Sequence, residues 1–121
     1  MKNRFTALLA FALGANFSIP PAAAIVMPYA ISNLSLSKHD LALMQSAARE
    51  QMDGKPDGTA IAWQNPESGN SGSATLVKTS VVNGQTCRLI RHTILPKGES
   101  APTSYIVNIC RQSDGSWKLN P

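Results

Sequence analysis

The sequence predicts an α+β domain in which one N-terminal amphipathic helix packs on a four- to five-stranded antiparallel meander sheet with one cross-strand disulfide. Three observations predict this class. Apolar residues recur at helical spacing over residues 37–53, strand-like runs separated by turn formers follow from residue 57 onward, and the two cysteines lie in consecutive strand-like runs. A helix followed by a series of strands is typical of the α+β class.

The chain begins with the features of a cleaved secretory signal peptide over residues 1–24. Met1–Arg4 is basic, Phe5–Phe17 is apolar and uncharged, and Ala22–Ala24 has the small residues that a signal peptidase accepts. The apolar run is too short to span a bilayer and lacks the polar face of a core helix. We therefore expect cleavage before Ile25 and a periplasmic or outer-membrane associated protein with no transmembrane segment in its mature chain.

After cleavage we expect one globular unit, made of an arm and a helix over 25–56 and a β domain over 57–121. Without Lys2 and Arg4, the 11 basic residues fall to 9 against 7 acidic residues, a net charge of +2. This charge is too small to favour nucleic acid as a partner. A chain of this size buries only about two-thirds of its unfolded surface, so one covalent cross-link would add substantially to its stability.

A capping signal separates the arm from the helix. Residues 25–36 are apolar without a clean period and predict an extended arm that pairs on a sheet edge or covers part of the sheet. Ser37-Lys-His-Asp40 has the form of a capping box and Gly54 is placed to stop the helix, so we predict a helix over 37–53. Its apolar stripe is expected in the core and consists of Leu41, Met44, Ala48 and Met52.

Turn formers divide the rest of the chain into strands. Thr59–Gln64 and Ser73–Val82 are predicted as the first two strands, joined by a loop over 65–72 in which nearly every residue is a turn former. Asn83-Gly84 is the strongest short hairpin signal and pairs the second strand with Gln85–Leu95. The remaining predicted strands are Ser104–Gln112 and Trp117–Leu119, with turns at 96–102 and 113–116.

The predicted registers assign side chains to two faces of the sheet. A two-residue turn at Asn83-Gly84 would place Val77 opposite Ile90. The face predicted to pack under the helix carries Val77, Val81, Ile90, Ile94, Val107 and Ile109. The opposite face carries both cysteines together with Leu76, Val82, Leu89 and Ile106.

The second hairpin predicts a disulfide. Cys87 lies 11 residues before Gly98, and Cys110 lies 11 residues after Glu99. A chain that folds back between Gly98 and Glu99 therefore places the cysteines opposite each other, on one face and within disulfide reach. The two cysteines lack CxxC spacing, so we expect a structural bond and not a redox-active pair.

The sequence contains no recognisable catalytic or metal-ligating constellation, so we expect no enzyme activity, no metal and no cofactor. His39 and His92 have no Cys, Asp or Glu at ligand spacing, and the 7 carboxylates are scattered singly. Each histidine is expected to be exposed or hydrogen-bonded.

Two surfaces are candidate contact sites for a partner. The 65–72 loop is long for a hairpin connection and follows a tryptophan; alternatively its residues serve only turn geometry. Arg88 and Arg111 are expected as diagonal neighbours on the face opposite the cysteines, where they form an anion site, bond loop carbonyls or stack on Trp63 or Trp117. The candidate contact residues are Trp63, Glu67, Ser68, Asn70, Ser71, Arg88 and Arg111.

The order of these motifs resembles a known family. Trp63-Gln-Asn-Pro66, Cys87-Arg88 and the run Cys110-Arg-Gln-Ser-Asp-Gly-Ser-Trp117 resemble the C-terminal domain of the 17 kDa surface antigen family of Gram-negative outer-membrane proteins. The resemblance covers roughly residues 57–118 and implies an envelope location with no catalytic residues and no cofactor. Members are usually lipoproteins with a glycine-rich hydrophobic segment ahead of this domain, and this sequence departs from both features.

The sequence therefore predicts a non-enzymatic, secreted, surface antigen-like protein that binds another cell-envelope component. The alternative is a periplasmic inhibitor of a lytic enzyme such as lysozyme, because such inhibitors are also small, disulfide-stapled β proteins that project a loop.

Overall fold

The structure, a computed structural model, describes residues 34–120. The signal peptide predicted over 1–24 and the first part of the predicted arm, 25–33, lie outside these residues. The described elements are helix α1 (Lys38–Ala48), a 3-10 turn (Glu50–Met52) and the strands β1 (Ala60–Gln64), β2 (Ser71–Val82), β3 (Gln85–Leu95), β4 (Thr103–Arg111) and β5 (Trp117–Leu119).

Helix α1 begins at the predicted capping box. The Ser37 hydroxyl accepts a hydrogen bond from the backbone N–H of Asp40 at 3.0 Å, and the Asp40 carboxylate accepts one from the backbone N–H of Ser37 at 2.9 Å. The predicted continuous helix over 37–53 is interrupted at Arg49, whose backbone is not helical. The Arg88 guanidinium donates hydrogen bonds to the backbone carbonyls of Ala48 and Arg49. The chain then continues as the tighter 3-10 turn.

The strands form one antiparallel sheet in the order β1-β2-β3-β4-β5, as the predicted meander requires. The turn between β2 and β3 consists of Asn83 and Gly84, which have φ angles of 52° and 75°. Positive φ at both central residues is characteristic of the type I′ turn that Asn-Gly favours.

The β2–β3 register differs from the predicted one in the middle of β2. A bulge at Val77 shifts the pairing, so that Leu76 lies opposite Ile90. The prediction that Val77 faces Ile90 was therefore wrong, as was the assignment of Leu76 to the cysteine face. An extra residue in one strand exchanges the faces of the residues beyond it, and Leu76 is thereby brought into the core at 1% exposure.

The core lies between α1 and one face of the sheet. The predicted helical stripe is buried there or packs against the buried cluster, and the sheet contributes Ile90, Ile94, Val107 and Ile109 as predicted. Val81 lies on the same face but is 70% exposed; it is the second-last residue of β2, next to the β2–β3 turn. No helix within residues 34–120 is long and apolar enough to cross a membrane.

Cys87 and Cys110 lie directly opposite each other in β3 and β4 and form the predicted disulfide, with an S–S distance of 2.10 Å. Both are buried. The bond links two adjacent strands on the sheet face opposite α1.

Candidate functional site

The loop between β1 and β2, one of the two predicted contact surfaces, closes around a buried carboxylate. Asp40, in the first turn of α1, is fully buried. Its Oδ1 accepts hydrogen bonds from Asn65 Nδ2 at 2.8 Å and from Ser68 Oγ at 2.7 Å, and its Oδ2 accepts one from Asn70 Nδ2 at 2.9 Å. The loop therefore uses these polar side chains to attach itself to the start of the helix.

The electrostatics of Asp40 follow from these contacts. Burial by itself would raise the pKa of this carboxyl group. The hydrogen bonds from the Ser37 backbone and from Ser68, Asn70 and Asn65 outweigh burial and hold the pKa well below its usual range. Asp40 is thus ionised when folded, and its charge is satisfied by donors from the loop and the helix start.

A tight turn at Asn65 and a close backbone approach at Gly72 also shape the loop. Asn65 Oδ1 accepts a hydrogen bond from the backbone N–H of Glu67 at 3.1 Å, an Asx-type turn of the kind expected at Asn65-Pro66. Gly72 lies against the ring of Trp63 and the carbonyl of Thr93; an added Cβ would collide with the carbonyl and crowd the ring. The tryptophan is accordingly part of the core, at 4% exposure.

The acidic side chain of the loop is exposed and contacts a histidine of α1. Glu67 Oε1 lies 2.9 Å from Nδ1 of His39, and both side chains are largely exposed. Ser71 is half-buried at the start of β2. Neither Glu67 nor Ser71 takes part in the hydrogen bonds to Asp40.

The two arginines of the second predicted surface have different environments. Arg88 is 7% exposed and donates to the carbonyls of Ala48 at 3.1 Å and Arg49 at 2.9 Å. It also forms an ion pair with Asp53 at 2.7 Å, and its guanidinium lies 4.2 Å from the ring centroid of Trp117. Of the interpretations left open by the sequence, bonding to carbonyls and stacking on a tryptophan apply to Arg88.

Arg111 is exposed, and among the described residues its side chain makes no hydrogen bond or ion pair. It lines an open depression of about 520 Å³ between the β2–β3 turn and the start of the β4–β5 turn. We call this the turn-end depression; it is lined by Asn83, Gly84, Gln85, Thr86, Arg111, Gln112 and Ser113.

The structure places the two predicted contact surfaces at opposite ends of the sheet. The loop after Trp63 lies at the end of the sheet where α1 begins, and Arg88 and Arg111 lie at the opposite end. Asp40 and the polar lining of the turn-end depression were not predicted. Their only sequence signals were an acidic residue in the capping box and amides beside two turns.

The two histidines have separate environments: His39 pairs with Glu67 of the loop, and His92 is buried. His92 packs in the core against Tyr105, with ring centroids 5.4 Å apart. Burial, with a smaller contribution from the charge of Arg49, lowers the pKa of His92 to about 4, so the ring is neutral near pH 7. Over residues 34–120, no three His, Cys, Asp or Glu side chains converge on a point that could hold a metal ion.

Comparison with known proteins relates the chain to one group of relatives. Residues 50–118 match the family described as 17 kDa outer membrane surface antigen. The 17 kDa surface antigen of Rickettsia prowazekii is 34% identical over 83 residues, which cover 68% of this chain and 51% of the relative. That of Rickettsia felis is 32% identical over 85 residues, covering 69% and 52%. The chain thus spans about half the length of the curated relatives it matches. No solved structure matches it.

Proposed function

Because the chain belongs to the 17 kDa outer membrane surface antigen family, we propose that it is a non-enzymatic envelope protein that acts by binding another cell-envelope component. The observation that carries this proposal is the family match, which covers β1 to β4 and the first two residues of β5. The relatives are named as surface antigens, which supports an outer-membrane or periplasmic location. The disulfide supports the same location, because such bonds persist in oxidising compartments outside the cytoplasm.

The proposed contact surface is the end of the sheet that carries Arg111. Ser68 and Asn70, predicted as contact residues, have their side chains engaged by Asp40, and Arg88 is engaged by the end of the helix. Arg111 remains exposed. A partner can therefore bind Arg111 without first breaking contacts that hold the domain together.

Capture from a solubilised envelope fraction tests the proposal. The exported protein is immobilised as wild type, Arg111→Gln, Glu67→Ala/Ser71→Ala and Lys118→Gln. The loop variant leaves the hydrogen bonds of Asp40 in place, and the last variant removes an exposed positive charge from the opposite face. We expect the same envelope component with every protein except Arg111→Gln.

Three outcomes would contradict the proposal. Capture lost only in the loop variant would move the contact to the Glu67 surface. Failure of the folded wild type to retain any envelope component would remove the binding function itself. Inhibition of lysozyme by the wild type in a parallel assay would favour the alternative class, a periplasmic inhibitor of a lytic enzyme.

A further inference from the structure

The turn-end depression has a chemical character that identifies a class of ligand. Four lining side chains other than Arg111 make no hydrogen bond within the described part of the chain: Asn83, Gln85, Thr86 and Ser113. The two amides and two hydroxyls each provide both donors and acceptors. A ligand with many hydroxyl groups can therefore be hydrogen-bonded there without displacing any contact of the fold.

The charge of the depression is that of a single cation. Arg111 is the one charged residue among the seven that line it. The nearby carboxylate of Asp114 is engaged within its own turn, where Oδ1 accepts hydrogen bonds from the backbone N–H of Ser116 at 2.9 Å and from its hydroxyl at 2.6 Å. One guanidinium matches one carboxylate in charge and in bidentate geometry.

The shape and the rim of the depression favour a sugar. The depression is open, with a polar lining and a volume of about 520 Å³, so a ligand would lie there with one side in solvent. Val81, the exposed neighbour of Thr86 across the β2–β3 pair, supplies an apolar side chain beside the polar lining. The C–H face of a sugar ring can pack on such a side chain while its hydroxyl groups reach the amides.

We infer that the turn-end depression binds a carboxylated saccharide, with Arg111 paired to the carboxylate and with Asn83, Gln85 and Ser113 bonded to hydroxyl groups. The inference rests on the proposed function, because it specifies the class of envelope component that would be recognised. An acidic peptide is the competing ligand and is less suited, since extended peptides usually add to a free strand edge and this site lies between two turns.

Titration of the isotope-labelled exported protein, followed by backbone amide chemical shifts, tests the inference. The probes are digalacturonic acid, the neutral disaccharide galactobiose and a triglutamate peptide. We expect saturable shifts at Gly84, Gln85 and Gln112 with digalacturonic acid alone. Arg111→Gln should weaken this binding by about tenfold or more, the usual effect of losing one charge-assisted pair. Lys118→Gln removes the same charge from the opposite face and should bind as the wild type does.

Several outcomes would overturn the inference. These are equal shifts with galactobiose, undiminished binding by Arg111→Gln, shifts with triglutamate only, and no shifts with any probe. If envelope capture depends on Arg111 while digalacturonic acid causes no shift, the saccharide class is wrong and the proposed function stands. Saccharide binding without envelope capture would support the inference and contradict the proposed function.

Discussion

Asp40 shows how one side chain can connect two parts of the chain that are distant in sequence. It belongs to the capping box of α1, and it also holds the 65–70 loop through Asn65, Ser68 and Asn70. Asp40→Asn would remove the charge and turn an amide N–H₂ toward groups that are themselves donors. We expect a loss of about 3 kcal/mol in the free energy of unfolding, because buried donors lose a charged acceptor. Urea denaturation measures the loss.

Asp57→Asn is the matched control for this variant. Asp57 is exposed and accepts a hydrogen bond from the Thr79 backbone N–H. We expect it to cost well under about 1 kcal/mol. Equal losses in the two variants would mean that the buried network of Asp40 contributes no special stability.

The same carboxylate predicts a pH dependence. The folded-state pKa of Asp40 lies below its ordinary value of 3.8. A depressed pKa stabilises the fold fully above the unfolded-state value, and this contribution is lost as the pH falls through the folded-state value. The difference in melting temperature between wild type and Asp40→Asn should be constant between about pH 7 and about pH 5 and should narrow below about pH 4. Calorimetry at several pH values checks this; a difference that widens in acid would contradict it.

Arg88 and Arg111 form a natural pair of test positions, because they are close in the sheet and differ in their contacts. Arg88→Gln removes donors from two helix carbonyls and from Asp53 and also ends the stacking on Trp117. We expect a loss of about 2 kcal/mol for Arg88→Gln and close to zero for Arg111→Gln, measured by thermal or chemical unfolding. Equal losses would show that the buried contacts of Arg88 do not stabilise the fold.

At the scale of elements, the bulge in β2 predicts that the fold tolerates deletion of Val77, a residue in the middle of a strand. Leu76 and Lys78 already pair with the consecutive residues Ile90 and Leu89, and Val77 is the extra residue. Deleting Val77 leaves every other side chain on its present face of the sheet. We expect this variant to fold and to form the disulfide, at a cost of no more than about 2 kcal/mol.

Deleting Thr75 instead is the contrasting case. If the bulge is kept, this deletion exchanges the faces of the β2 residues before it and moves Gly72 away from the ring of Trp63. If the bulge is lost instead, the deletion moves Leu76 out of the core and places Val77 opposite Ile90. We expect this variant to be unfolded or strongly destabilised by circular dichroism. If both deletions behave alike, the bulge is not what sets the register of β2.

For the whole molecule, the parts of the fold that depend on local chemistry could be predicted from the sequence. The capping box, the Asn83-Gly84 turn and the placement of Cys87 opposite Cys110 each depend on a short spacing. The bulge at Val77 could not be predicted, because Val77 and its neighbours Leu76 and Lys78 include no glycine and no turn former. The hydrogen-bond partners of Arg88 could not be predicted either, because they come from the end of a helix about 40 positions earlier in the chain.

The candidate site, too, could be predicted only in part from the sequence. The sequence identified Arg111 as a cation on the face opposite the cysteines. It could not separate this exposed arginine from the buried Arg88, because both follow a cysteine in a strand. Nor could it show that Ser68 and Asn70 turn toward Asp40, since that direction depends on the packing of the loop against the helix.

The disulfide is expected to contribute to the stability of the entire domain. It closes a loop of the chain with a sequence separation of 23 residues, for which cross-linking typically stabilises by about 3 kcal/mol. Replacing both cysteines with alanine should lower the free energy of unfolding by this amount. Reductant should destabilise the wild type and leave the double variant unchanged. Equal stability of the oxidised and reduced wild type would contradict the prediction.

The meander order of the sheet has a consequence for how the chain reaches its native state. Within residues 34–120, every strand pairs with its neighbour in sequence, so each hairpin can close early at a small cost in loop entropy. The two thiols allow one intramolecular pairing, and the second hairpin brings them together as it forms. Oxidation can therefore follow strand pairing directly, with no scrambled isomers to resolve within this chain, and a catalyst of thiol oxidation alone would suffice.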